Sequence, residues 1–293
     1  MRRKVSRIGP ATLMVSLPAK WARAHNIKKG DEVEIEEDGN VLKISTEGGE
    51  RCERASIDVA DLQPMVKRIL GALYKAGYSE MEISFSTPKE LELIQEVIRE
   101  EFIGFEITEH RKNSIIAKEV TKTVVEEFDR VLNRMFFIIK QMGIDSEEAI
   151  KKMDHQQLEA IALRDKDINK LTDFCRRILN QKVLKGKRNP PMYFIVEQLE
   201  KVSDMYRDIC QLKIKPETQM MQLFSDANRY FSSFIDLYQD FNLTKMAAFA
   251  QERYRLRKIY QNSKTKYPPF LMLTSSMIES IFDMNGPVMA NKF

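Results

Sequence analysis

The chain has 293 residues, 43% of them hydrophobic and 31% charged, with 47 Lys+Arg against 43 Asp+Glu and a formal charge of +4. At roughly 100–200 residues per domain this length predicts two or three domains with ample core. The composition excludes a disordered or collagen-like chain. The longest fully apolar run of the helical region, Met135 to Ile139, is far short of the ~20 residues of a membrane helix, so no membrane insertion is expected.

No basic start followed by an apolar segment resembles a secretory signal. Cys52, Cys175 and Cys210 form no CxxC pair, which predicts a soluble protein of a reducing compartment and a cytoplasmic location.

The placement of charge is more informative than its sum. The first 29 residues carry Arg2, Arg3, Lys4, Arg7, Lys20, Arg23, Lys28 and Lys29 and no acid, while the other 264 hold 39 bases and 43 acids. A head at +8 thus precedes a body at -4. Clustered base without acid is the footprint of a nucleic-acid binder, because Lys and Arg release counterions from phosphates. From charge alone, a solvated basic surface is the alternative.

In chain order, Lys4 to Gly9 and Ala11 to Leu17 read as two strands broken at Gly9-Pro10. Pro18 suits the first turn of a helix running to about His25, and His25 reads as a cap or surface residue. Lys28-Lys29-Gly30-Asp31 is a turn whose glycine fits a positive φ. Val33 and Ile35 alternate on one face, Asp38-Gly39-Asn40 makes a hairpin, and Leu42 and Ile44 return on the same buried face. Leu13, Val15, Leu17, Trp21, Val33 and Ile35 are the expected core. A unit of this size buries little apolar surface, so a homodimer is expected.

Three runs, Arg2-Arg-Lys-Val-Ser-Arg-Ile-Gly9, Thr12-Leu-Met-Val-Ser-Leu-Pro18-Ala-Lys-Trp21 and Ile27-Lys-Lys-Gly30-Asp31-Glu-Val33, resemble the AbrB/MazE/SpoVT swapped-hairpin DNA-binding domains. The resemblance covers about residues 1–46. It implies an intertwined dimer with Arg2, Arg3, Lys4 and Arg7 as DNA contacts, and Lys20 and Arg23 on the helix behind them.

Thr46-Glu-Gly-Gly-Glu50 reads as a linker, setting the head at 1–47. Ser56 to Val59 then reads as a strand, and Asp61 as the cap of a helix to Ala76 that ends at Gly77. Met81 to Phe85 is a strand, Pro88 opens a helix to about Phe102, and Phe105 to Thr108 pairs with Ser114 to Ala117. This predicts a small α/β domain at 51–119, with His110 in a turn. It carries no catalytic or phosphate-loop pattern and is read as a spacer or dimerisation module.

From Glu119 the apolar period becomes 3.6. Phe128, Val131, Met135, Ile138 and Met142 form one stripe, and Met221, Phe224, Phe231, Ile235, Tyr238 and Phe241 another. Breaks at Gly143–Ser146, Lys185–Pro191, Lys215-Pro216, Asn242 and Tyr267–Pro269 predict six helices: 119–142, 146–183, 191–213, 217–241, 244–264 and 269–291. Helices three and six each follow a Pro-Pro pair and carry a Glu-x-x-x-Asp, Glu200 to Asp204 and Glu279 to Asp283. The repetition predicts two tandem three-helix bundles, 120–216 and 217–293. The fold class is therefore multidomain: a β-rich swapped-hairpin head, an α/β middle unit and an all-α tail.

Carboxylates at i and i+4 share one helix face and repel. A divalent or iron-type ion or a basic partner relieves this, and chance spacing on a solvated helix is the alternative. Asp208 extends the first row. Two three-helix bundles with an ExxxD in the third helix resemble the PhoU family of phosphate-uptake regulators, over about 119–291. The stretch Asp165-Lys-Asp167-Ile168-Asn169 is similar to that family's D-x-x-I-D region. The resemblance implies metal at Glu200, Asp204, Glu279 and Asp283, with Asp208 beside the first pair. Asn169 stands where a second acid is expected, and Arg253, Arg255 and Arg257 make the matching region of helix five basic, so they could pair with Glu279 or Asp283.

Together these features point to a dimeric DNA-binding transcriptional regulator of phosphate uptake whose helical half senses or docks. The alternative is a protein–protein adaptor of a phosphate ABC transporter or signalling kinase, its head serving only to dimerise. No Ser/His/Asp set, HExxH or Gly-rich nucleotide site accompanies the acids, so no enzymatic activity is expected.

Overall fold

In a computed structural model, the structure describes residues 2–38, 40–46, 54–121, 125–181 and 189–292. The chain divides into two compact units, Met1–Arg51 and Cys52–Phe293. The expected linker residues 47–50 and Cys52 lie outside the described residues.

In the first unit, β1 (Ser6–Arg7) pairs antiparallel with β2 (Leu13–Met14). Pro18 is the N-cap of α1 (Ala19–Ala24), and His25 is its C-cap with its ring 5.1 Å from that of Trp21. The hairpin of β3 (Val33–Asp38) and β4 (Val41–Thr46) sets Ile35 opposite Ile44. Gly30 has the expected positive φ, 99°, and the hairpin tip Gly39 lies outside the described residues.

The expected core of this unit is not buried. Leu13 is 68% exposed, Ile35 60% and Leu42 64%; Val15 is also exposed, and Leu17, Trp21 and Val33 are half-buried. The physical reason is geometric: two separate two-stranded sheets and a six-residue helix leave a single copy no second layer to close over these faces.

The second unit opens with the α/β pattern expected. β5 (Arg54–Asp58), α2 (Val66–Ala76), β6 (Glu80–Ser84), α3 (Pro88–Glu101), β7 (Phe105–His110) and β8 (Ser114–Glu119) build one sheet in the order β5-β6-β8-β7, parallel only between β5 and β6. Thr87 and Glu90 close a capping box at the start of α3. Asp61 does not cap α2: its φ is 57° and its N–H donates to Glu90 Oε1 at 3.0 Å. Pro64 defers the helix to Val66, because the residue before a proline avoids the helical region.

The helical part contains α4 (Val125–Lys152), α5 (His155–Leu163), α6 (Asp165–Asn180), α7 (Asn189–Leu212), α8 (Thr218–Gln239), α9 (Leu243–Asn262), α10 (Pro268–Asp283) and α11 (Asn285–Lys292). Both predicted stripes face inward: Phe128, Met135 and Met142 are buried, as are Phe224, Phe231 and Ile235. The expected break at Gly143–Ser146 is absent, and α4 runs through it to Lys152. A Cβ at Gly143 would stand 2.8 Å from Tyr206 Oη and 3.0 Å from Asn228 Oδ1. Its glycine serves a close crossing of α4 with α7 and α8, not a turn. The chain breaks instead at Met153, where φ is 56°, and Asp154 caps α5 by accepting from Gln157 N at 2.9 Å.

The two bundles share one core. Tyr206 of α7, Phe224 of α8 and Phe270 of α10 stack edge to face at 6.0 and 5.5 Å, and Tyr206 Oη donates to Asn228 Oδ1 at 2.8 Å. The α/β part is not a free spacer. Arg177 of α6, fully buried, donates to Tyr74 O at 2.9 Å and Tyr78 O at 2.8 Å, and pairs with Glu119 at 2.7 Å. Its guanidinium carbon lies 5.1 Å from the Tyr74 ring centroid and 4.8 Å from that of Phe105. A buried cation this enclosed is tolerable only because nearly every face has an acceptor or a π-cloud.

Arg177→Ala strips that donor from two carbonyls and a carboxylate, and should destabilise the chain by about 3–5 kcal/mol, read as a lowered midpoint of urea unfolding. Gly143→Ala gains helix propensity of about 1 kcal/mol but overpacks the crossing by about 1–3 kcal/mol. A fall of a few degrees in the unfolding temperature is expected; a rise would contradict the close-crossing role.

Candidate functional site

The six basic candidates all belong to the first unit. Arg2, Arg3 and Lys4 precede β1, Arg7 lies on it, and Lys20 and Arg23 stand on α1. All six are exposed, and none has an ion-pair partner among the described residues. A guanidinium or ammonium left unpaired in water is free to meet phosphate without first breaking an internal bond.

The carboxylate candidates lie in the second unit and meet arginines. On α7, Glu200 is held by Arg176 of α6, which also donates to Asp173 at 2.7 Å and pairs with Glu197 at 2.5 Å. One turn on, Arg207 gathers three acids. Its Nη1 donates to Asp165 Oδ2 at 2.8 Å and to Asp204, and Nε and Nη2 reach Asp208 Oδ1 at 3.0 and 2.9 Å.

Asp165, 3% exposed, also accepts from Ser203 Oγ at 2.8 Å and Asn169 Nδ2 at 3.2 Å. Burial pushes the Asp204 carboxyl above its ordinary range, against the pull of Arg207. The Arg207 guanidinium is itself held well above its ordinary value by Asp165 and Asp208, which outweigh its burial.

The second bundle repeats the first contact. Arg253 of α9 donates to Glu279 Oε2 through Nε at 3.1 Å and Nη2 at 2.6 Å, and Tyr260 donates to the other oxygen. Arg255 turns away to Asp226 at 2.7 Å and Glu252 at 2.6 Å, while Asp283 is exposed at the end of α10. In both cases an arginine of the preceding helix, α6 or α9, grips the ExxxD glutamate of the next, α7 or α10.

As placed, the acids do not fit a resident metal. Each engaged carboxylate faces a guanidinium, and among the described residues no three His, Cys, Asp or Glu side chains stand together as a metal-holding group. Asp165, Arg176, Arg207, Asp226 and Tyr260 are the members that the ExxxD spacing does not mark. Arg207 does carry a visible signal, since it lies between two acids of the row, Asp204 and Asp208.

Residues 7–51 match the family model described as MazE, a bacterial antitoxin of antidote-toxin recognition, and residues 132–212 match the PhoU domain. The chain joins a MazE-type domain to a PhoU domain. No curated protein and no solved structure gives a significant match. The PhoU match runs from α4 to the end of α7, so Glu200, Asp204 and Asp208 lie inside it and Glu279 and Asp283 outside. Both families are regulatory domains rather than enzymes. No helix among the described residues is long and apolar enough to cross a membrane.

Asp226 offers a test of the arginine pairings. Burial works against its charge, but hydrogen bonds from Arg255 and Gln222 and the nearby Arg229 hold the carboxyl below its usual range. A depressed folded value adds stability above the unfolded value near 4, and that stability is lost as pH falls through the folded one. Asp226→Asn should therefore cost about 1 kcal/mol at pH 7, discounted because both arginines are largely exposed. The gap to the native chain should close below about pH 4 in pH-resolved unfolding. A constant gap would count against the pairing.

Proposed function

We propose that the chain is a dimeric DNA-binding transcriptional regulator of phosphate uptake, its MazE-type head on DNA and its PhoU-type helical half as sensor or docking module. The observation that carries the reading is the head itself. Six exposed bases with no ion-pair partner among the described residues share a unit in which no described side chain is buried. Phosphate backbone is the polyanion that such a surface suits.

The exposed Leu13, Val15, Ile35 and Leu42 supply an apolar face for a second copy, and a twofold dimer presents its bases to a pseudo-palindromic site. The PhoU domain supports the link to phosphate.

The test is a salt-titrated DNA-binding assay on the full chain. With ~6–10 phosphate contacts, affinity should fall roughly 10³–10⁵-fold between 50 and 200 mM salt. Replacing Arg2, Arg3 and Arg7 together by alanine removes six contacts from the dimer and should flatten the log–log slope by about five. DNA affinity that survives this change, or no affinity at low salt, overturns the reading and favours an adaptor whose head only dimerises.

A further inference from the structure

We propose that Arg207 in the first bundle and Arg253 in the second are the resident cations of the carboxylate rows, in the place where the PhoU resemblance implies a metal, and that the helical half holds those rows without one. The inference is independent of the DNA-binding reading, since it concerns only Cys52–Phe293.

The geometry around Arg207 carries it. Asp165, Asp204 and Asp208 come from two helices, α6 and α7, and all three reach one guanidinium, with Nη1, Nε and Nη2 each engaged. Acids set around the rim of a planar fork are spread by the width of the fork and its hydrogen bonds. An Mg- or Mn-type shell instead draws oxygens to ~2.1 Å from one point. The remaining oxygen of Asp165 is taken by Ser203. A metal would have to expel the guanidinium and reorder both helices' acids.

The second bundle reaches the same end with a different set. Arg253 places two nitrogens on one oxygen of Glu279, and the Tyr260 hydroxyl takes the other. The guanidinium carbon lies 4.6 Å from the Phe282 ring centroid and 5.5 Å from that of Tyr254, so aromatic faces hold it in place. Asp283 stays exposed beyond this cluster.

The same charge balance says what removing the arginine does. Three acids around Arg207 keep two net negative charges. Taking the guanidinium away leaves three carboxylates around a vacated centre, which is an oxygen donor set. Arginine is therefore the lock on a cation site that its loss opens.

The experiment measures metal content and thermal unfolding of the full chain purified without chelators, for the native protein, Arg207→Ala, Arg207→Lys and Arg253→Ala. Each is followed with EDTA and with MnCl2. The native chain should carry well under one equivalent of metal, and its unfolding temperature should be the same in EDTA and in Mn²⁺.

Arg207→Ala should gain a rise of about 5 °C or more in Mn²⁺, as expected at about 100 times the dissociation constant. Arg207→Lys, which keeps a positive charge in the site, should not gain it. Arg253→Ala should unfold at a lower temperature in EDTA than the native chain. A native chain holding stoichiometric metal that Asp204→Asn abolishes would overturn the proposal. So would a folded Arg207→Ala, judged by circular dichroism, with no response to Mn²⁺. If Arg207→Ala does not fold, the native chain and Arg207→Lys still decide: no rise in either unfolding temperature with Mn²⁺ supports the proposal, and a rise in the native chain refutes it.

Discussion

One buried guanidinium organises the larger unit. Arg177 stands where α6 meets α2 and the sheet; it donates to Tyr78 O and adds a second hydrogen bond to Tyr74 O, which also accepts from Gly77 N at the end of α2. The stacked pair of Tyr74 and Phe102, 4.4 Å apart, and the edge-on Phe105 form the apolar half of the same joint. The α/β part and the bundles are one body because this polar contact makes their apolar contact affordable in free energy.

The neighbouring residue does the opposite task. Arg176 is one position along α6 and so turned by about 100° around the helix, where it faces Glu200, Glu197 and Asp173. Consecutive arginines thus tie α6 to the sheet on one side and to α7 on the other. Ion pairs of this depth are seldom strong net stabilisers, since the desolvation of both charges opposes their attraction. Their value is in register: α6 can sit against α7 in one position along its length and no other.

Much of this was legible in residue order. Period-3.6 stripes located the helices, the Thr87–Glu90 capping box and Pro88 marked α3, and Gly77 ended α2 because a left-handed residue does so cheaply. The MazE-type and PhoU regions declared themselves by short motifs. Local signals failed where a residue answered to something distant in sequence. Gly143 looks like a breaker until Tyr206 and Asn228 are seen pressing on it. Leu13, Ile35 and Leu42 look like a core because alternation reports which side chains share a face, not whether anything covers that face. The acids of α7 and α10 read as ligands by spacing, while their arginines lie 24 and 26 residues upstream of Glu200 and Glu279, beyond the reach of any helical periodicity.

The uncovered face of the head has a consequence for how the protein responds to its own amount. On the dimeric reading proposed above, a unit in which no described side chain is buried draws folding free energy from association, so its ordered fraction follows mass action. The body has a continuous core of its own, so its folding does not rest on that association. On that reading the head depends on how many copies are present as well as on sequence and temperature. Abundance itself then becomes a signal at the head, with a higher-than-linear dependence.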